Sequence, residues 1–166
     1  MTKAELRREL RQKAMAVPRP EFHAEVPEAR VVMLYWPLPD EVDVRAFADA
    51  CREAGKTVLL PVVKGEDIEV RRYEGRERMK AGAFGILEPQ TELFVDLSAI
   101  EVVYVPGVAF SSDGRRLGRG KGYYDRFLSL SQLREARRVG VCAAFRRVED
   151  LPCEAHDVKM DEVIFV

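Results

Sequence analysis

The chain has 166 residues, 47% of them hydrophobic and 33% charged, enough for one domain with a core of its own. Lys and Arg total 27 against 28 Asp and Glu, so the net charge of -1 exerts no general pull on nucleic acid or an anionic membrane. Three cysteines with no C-x-x-C pair and two histidines argue against a zinc cluster, and no apolar run approaches membrane-spanning length.

The N-terminus reads as a charged helix and not as a signal peptide, so a reducing, cytoplasmic location is expected. Thr2 can cap that helix, with Glu5 closing a capping box, and the helix should run to about Ala16. Leu6, Leu10 and Ala14 share one face, with Lys3, Arg7 and Arg11 beside it. On the residues alone those cations read as a solvated face. Pro18, Pro20 and Pro27 then exclude a helix interior. Residues 29–36 (ARVVMLYW) form an apolar, β-rich run stopped by Pro37 and Pro39. A helix is expected from Asp40-Glu41 to about Ala54, ended by Gly55. Strands follow at 56–62, 68–73, 100–105 and 138–143, with a terminal edge piece at 163–166. Strands alternating with helices predict a single-domain α/β fold over residues 1–166. It has a mainly parallel sheet with helices on both faces, a Rossmann-like three-layer arrangement. Ligands of such sheets sit at the carboxyl ends of the strands, where Trp36, Pro61 and the loop after Val105 should converge.

That loop is the most informative stretch. It contains Leu117-Gly118-Arg119-Gly120-Lys121-Gly122-Tyr123-Tyr124-Asp125, where a helix should begin. Glycine at every second position leaves backbone N–H groups bare, and such groups at a helix start bind anions. Arg115, Arg116, Arg119 and Lys121 add positive charge locally, which suits a polyphosphate better than a polymer. The loop matches neither common phosphate pattern. Five residues separate Gly114 from Gly120, and no hydroxyl follows Lys121, so it is not a Walker loop. Gly122 arrives one place early for G-x-G-x-x-G.

Pro106-Gly107-Val108-Ala109-Phe110, Asp113-Gly114 and Arg116 to Asp125 together resemble the signature of the 5-formyltetrahydrofolate cyclo-ligases, also called 5,10-methenyltetrahydrofolate synthetases. Lys3-x-x-x-Arg7, Asp40-Glu41-Val42-Asp43 and Met160-Asp161-Glu162-Val163 extend the likeness to both ends of the chain. The resemblance implies an ATP-driven closure of 5-formyltetrahydrofolate to 5,10-methenyltetrahydrofolate with release of ADP and phosphate. It implies ATP and a reduced folate as partners, magnesium as cofactor, and a monomer acting without nucleic acid or membrane. It also implies ATP binding by Lys3, Arg7, Arg116, Leu117, Gly118, Arg119, Gly120, Lys121, Gly122, Tyr123 and Tyr124. Arg119 and Lys121 would neutralise charge on the transferring group. Trp36, Glu41, Phe84, Arg119 and Tyr123 would meet the folate, and Asp125 and Asp161 would hold the metal.

Each assignment has a plainer rival. Asp125 reads as a helix-start acid near the dipole, Asp161 as a turn residue, and Glu41 as another helix-start acid. Phe84 and Tyr124 read as core packing. His156-Asp157 suggests a turn and not a dyad. The segment around Pro18 to Pro27 is shorter than the helical stretch usual in that family, so a short loop is expected to replace a helix there. A non-catalytic nucleotide- or folate-binding protein is the competing class. The joint presence of the Arg-Gly-Lys-Gly loop and two carboxylates favours the enzyme.

Overall fold

Val, Ile and Leu runs supply the strands of the protein, which a computed structural model describes over residues 1–82 and 85–166. In chain order these are β1 (Val31–Met33), β2 (Thr57–Lys64), β3 (Asp67–Arg72), β4 (Met79–Ala81) and β5 (Leu87–Pro89). They are followed by β6 (Val102–Val105), β7 (Ala109–Phe110), β8 (Arg116–Leu117), β9 (Arg137–Cys142) and β10 (Glu162–Phe165). Among the described residues three α-helices accompany them: α1 (Lys3–Met15), α2 (Arg45–Glu53) and α3 (Tyr123–Leu128). None of the helices among the described residues is long and apolar enough to cross a membrane.

Six strands form one sheet in the order β10-β9-β6-β1-β2-β3. Every pairing is parallel except the β2–β3 hairpin, whose register runs from Leu59 opposite Arg72 to Lys64 opposite Asp67. Side chains alternate faces with period two. Val32, Leu34, Val58, Leu60, Val139 and Val141 enter one layer, where Phe47, Ala48 and Cys51 of α2 pack. Met33, Leu59, Val103, Val105 and Cys142 enter the other, with Phe127 and Leu128 of α3. Helices therefore cover both faces, as the alternating pattern predicted. The chain leaves central β1 toward β2 and β3, then returns through β6 to β9 and β10. The carboxyl ends of β1 and β6 thus border the point where the winding reverses, the usual ligand crevice of such sheets.

Local chemistry moves several element boundaries. The run predicted at 29–36 pairs as a strand over Val31–Met33 alone, although Leu34, Tyr35 and Trp36 stay buried beyond it. Helix α2 begins at Arg45, not at Asp40. Asp43 accepts the Arg45 N–H at 3.1 Å, whereas Glu41 turns inward and accepts the Leu38 N–H at 2.8 Å. Glu41 is therefore not a helix-start acid. The loop after β6 is not wholly irregular either, since β7 and β8 pair within it as a small antiparallel hairpin.

The proline-rich segment is anchored through Asp43. The Asp43 N–H donates to the Pro20 carbonyl, and the Phe22 N–H donates to the Asp43 carbonyl, which delivers the Phe22 ring to the core at 2% exposure. The Asp43 carboxylate meets Arg45 at 2.8 Å and Arg19 at 3.5 Å. Hydrogen bonding from Arg45 holds its pKa down at about 2, below the ordinary 3.8. A depressed carboxyl stabilises the fold above its unfolded pKa, and that stability is lost as pH falls through the folded one. Asp43→Asn should therefore cost about 2 kcal/mol at neutral pH, less than about 0.5 kcal/mol near pH 2 and nothing well below it, read from denaturant midpoints across that range. A mutant deficit that persists undiminished at low pH would show that Asp43 acts through backbone shape alone.

Candidate active site

The carboxyl ends of β1, β2 and β6 open into a cleft of about 580 Å³. One wall comes from the turn after β1, with Tyr35, Trp36, Leu38 and Glu41; the other from Pro106, Gly107 and residues 116–125. Lys3 and Arg7 of α1 reach in from one side, and Glu154, His156 and Asp157 from the C-terminal tail. Pro61, Val63, Ile68 and Ile86 give the far end an apolar lining. Trp36, Pro61 and the loop after Val105 meet in one place, as strand order predicted.

Why α1 lies here follows from its sequence. The Thr2–Glu5 capping box fixes its start, with Thr2 Oγ1 accepting the Glu5 N–H and Glu5 accepting the Thr2 N–H. Leu6 and Leu10 then dock on Val108, Ala109, Leu117 and Leu151. That docking turns Arg7 toward the glycine loop and Lys3 toward the C-terminal tail, both on the cleft wall. Arg7 Nε donates to the Gly118 carbonyl at 2.7 Å. Lys3 lies 3.1 Å from both Glu154 and Asp157. Burial opposes the Lys3 charge, but hydrogen bonds to Asp157 and Glu154 outweigh it and raise its pKa.

The loop's glycines have distinct reasons. Gly120 and Gly122 adopt positive φ, at 101° and 74°, which other residues rarely hold. Gly118 lets the chain pass close to Arg116, since a Cβ there would lie 3.0 Å from the guanidinium, which would have to give way by a few tenths of an ångström. Among the described residues, the backbone N–H groups of Arg119, Gly120, Lys121 and Gly122 have no protein partner. They line the cleft and are free for an anion.

The predicted cations separate into three groups. Arg115 turns away, bonding Asp113 and the carbonyls of Glu149 and Leu151, and takes no part in the cleft. Arg116, one residue on along β8, points the opposite way. Its Nε donates to the Pro106 carbonyl at 2.7 Å, and its guanidinium stacks 5.2 Å above the Tyr124 ring. Burial works against the Arg116 charge, which Asp125, Tyr124 and Glu41 support. Arg119 and Lys121 are exposed at the cleft rim, where Arg119 Nη2 meets Asp40 at 2.8 Å and Glu41 at 3.6 Å. Leu117 borders the cleft, but its side chain is buried among Leu6, Leu10 and Val108, so packing and backbone are its contribution.

On the other wall Trp36 is 9% exposed, packed on Tyr73 and covered by Arg76 at 5.6 Å. Burial pushes the Glu41 carboxyl up, countered by the Leu38 N–H and Arg119. Tyr124 both packs on the core and faces the cleft, with burial raising its hydroxyl. Tyr123 stands at the rim, its ring 5.5 Å below the Arg126 guanidinium. Phe84 lies outside the described residues.

The metal assignment requires a correction. Asp125 lies in the first turn of α3, on the cleft wall, and accepts the Val158 N–H at 3.2 Å. Asp161 is elsewhere: exposed just before β10, it accepts the Arg138 N–H at 2.8 Å, at the amino end of β9. Parallel pairing of β9 and β10 puts that position at the opposite end of the sheet from the cleft. The other aspartate on the cleft wall is Asp157, next in sequence to the Val158 whose N–H Asp125 accepts. Burial opposes its charge, but the Glu154 N–H and Lys3 hold its pKa down. Asp157 is thus a site residue that sequence reading missed, because the adjacent His156-Asp157 pair read as a turn. Asp125 and Asp157, completed by phosphate oxygens and water, form the donor set magnesium ordinarily takes. The residues present therefore fit that ion.

A parallel α/β sheet with a cationic, glycine-rich loop at its winding reversal places free backbone N–H groups where folds of this class hold their ligands. The 5-formyltetrahydrofolate cyclo-ligase family model matches residues 1–166, and the chain belongs to that family. A Haemophilus influenzae 5-formyltetrahydrofolate cyclo-ligase is 31% identical over 142 residues, spanning 82% of this chain and 76% of its own. A probable enzyme of the same name from Schizosaccharomyces pombe is 32% identical, spanning 84% and 78%. Among solved structures, a 5,10-methenyltetrahydrofolate synthetase from Aquifex aeolicus superposes with a TM-score of 0.78 at 32% identity. It covers 99% of this chain and 90% of its own.

Proposed function

We propose that this protein converts 5-formyltetrahydrofolate to 5,10-methenyltetrahydrofolate using ATP and magnesium, releasing ADP and phosphate. Beyond family membership, the observation that carries this reading is a single cleft with two characters. One end offers free backbone N–H groups and cations, and the other offers Trp36, Pro61, Val63 and Ile68. The first suits a triphosphate and the second a folate ring system.

The formyl oxygen is a poor leaving group, so the reaction needs it activated. In the proposed sequence that oxygen attacks the γ-phosphorus, the bond to ADP breaks, and an imidate-like phosphate results. N10 then attacks the activated carbon and gives up its proton. The carbon–oxygen bond breaks, phosphate departs, and the cationic methenyl bridge remains. Phosphoryl transfer depends on positioning and charge more than on covalent help. The loop N–H groups with Lys3, Arg7 and Lys121 would bind the polyphosphate. Arg119 lies between the loop and Glu41, so it suits the phosphoryl in transit, and its planar fork can hold two oxygens at once. Arg116, stacked on Tyr124, would keep the cleft floor positive. Glu41 would be a polar anchor for the folate. Asp125 and Asp157 would hold magnesium, which supplies neutralising charge to the phosphates when bound.

The direct test follows methenyl absorbance with 5-formyltetrahydrofolate, omitting ATP or magnesium in turn. Product should form only in the complete mixture. Nucleotide and folate binding without product would favour the non-catalytic binder.

A further inference from the structure

Arg146 ends the one-turn helix Ala144–Arg146 that follows β9, and it is 3% exposed. A charge buried that deeply is costly unless it is paired. Arg146 Nη1 donates to the Val108 carbonyl at 3.0 Å, and Nη2 meets Asp40 Oδ2 at 3.2 Å. The guanidinium also lies 5.1 Å from the Phe145 ring, while its Nε has no partner. The second oxygen of the same carboxylate, Asp40 Oδ1, accepts Arg119 Nη2 at 2.8 Å. One carboxylate thus bridges a buried guanidinium and one at the cleft rim.

This bridge answers a positional problem. Arg119 is a long, exposed side chain on a loop flanked by Gly118 and Gly120, so neither its backbone nor its rotamer is fixed locally. Asp40 does not line the cleft, and it is itself held from behind by Arg146. We propose that Asp40, locked in place by buried Arg146, is a positioning residue. It engages one Nη2 hydrogen of Arg119 and leaves Nε and Nη1 free for the phosphoryl group and the folate oxygen. This rests on the ATP-driven reading above. It predicts that Asp40 matters to the reaction through Arg119 and not independently.

A double-mutant cycle separates that claim from a merely structural role, because residues acting in one chain are non-additive. Wild type, Asp40→Asn, Arg119→Ala and the double variant would be compared in kcat/KM for methenyl formation. Their Kd for a non-hydrolysable ATP analogue with magnesium and their melting temperatures would be compared as well. Asp40→Asn should lower kcat/KM about 10-fold in the wild-type background and less than about 2-fold once Arg119 is gone. The melting temperature should fall equally in both backgrounds, since Arg146 loses its partner in each. Arg146→Met removes the buried charge without stranding it. It should show a smaller loss, about 3-fold, that also disappears in the Arg119→Ala background. Losses that multiply in both backgrounds would overturn the proposal. If wild type forms no methenyl product, the functional reading fails by itself. The same cycle read on analogue Kd then decides the proposal, with a weakening by Asp40→Asn that persists without Arg119 counting against it.

Discussion

Asp125→Asn should lower kcat/KM for ATP by about 100-fold at limiting magnesium, equivalent to about 2.7 kcal/mol, and regain part of it as magnesium is raised. The substitution preserves size and an oxygen that can still accept the Val158 N–H, so the start of α3 should survive. Asp157→Asn should follow the same magnesium dependence, with an added weakening toward ATP because Lys3 loses a partner. Asp161→Asn should stay within about 2-fold of wild type, since its amide oxygen can still cap Arg138 on the far end of the sheet. Magnesium titrations of initial rate across the three variants decide the matter. A magnesium-sensitive Asp161→Asn, with Asp157→Asn near wild type, would restore the assignment first read from the sequence. A uniform drop at every concentration for Asp125→Asn would point to helix damage instead.

The contrast between Asp157 and Asp161 shows where the sequence stopped being readable. The strands were legible because burial on two faces demands continuous apolar runs, and 102–105 and 139–142 have them. The free N–H groups of the glycine loop were legible because alternating glycine and cation has few other uses. The C-terminal tail has neither property. Between Leu151 and Met160 no period marks an inner face, so four positions of displacement separate a cleft carboxylate from a strand cap. Arg115 and Arg116 show the same limit on a finer scale. Both are equally cationic in sequence, but the hairpin of β7 and β8 sends neighbouring side chains to opposite faces. Asp40 and Glu41 had read as a helix start. Their roles became visible only once the Leu38 amide and the two arginines were seen to claim their oxygens.

The double change Lys3→Ala with Arg7→Ala should raise the apparent constant for ATP by about 100-fold, because two charge-assisted contacts are lost together. The two residues are four apart and share a helix face, which the sequence alone left free to meet solvent. Docking of Leu6 and Leu10 settles which way that face turns. Arg7 lies across the loop, bonded to the Gly118 carbonyl, with its guanidinium 3.6 Å from where a Gly120 Cβ would be. Its Nε is occupied by the loop, so its Nη atoms remain for phosphate. Arg7→Lys should not restore binding, since an ammonium cannot hold the carbonyl and a phosphate oxygen in one plane. Melting temperature without ligand should move little, because the apolar anchors of α1 stay in place. The constant for folate should change less than about 3-fold, as these cations face the phosphate end of the cleft. Arg8→Ala and Arg11→Ala, on exposed positions of the same helix, serve as controls and should leave both constants unchanged. Equal weakening toward ATP and folate would mean that α1 supports the whole cleft and not the phosphates. An unchanged constant for ATP would return both cations to structural duty, Arg7 as a loop clamp and Lys3 as the partner of Asp157.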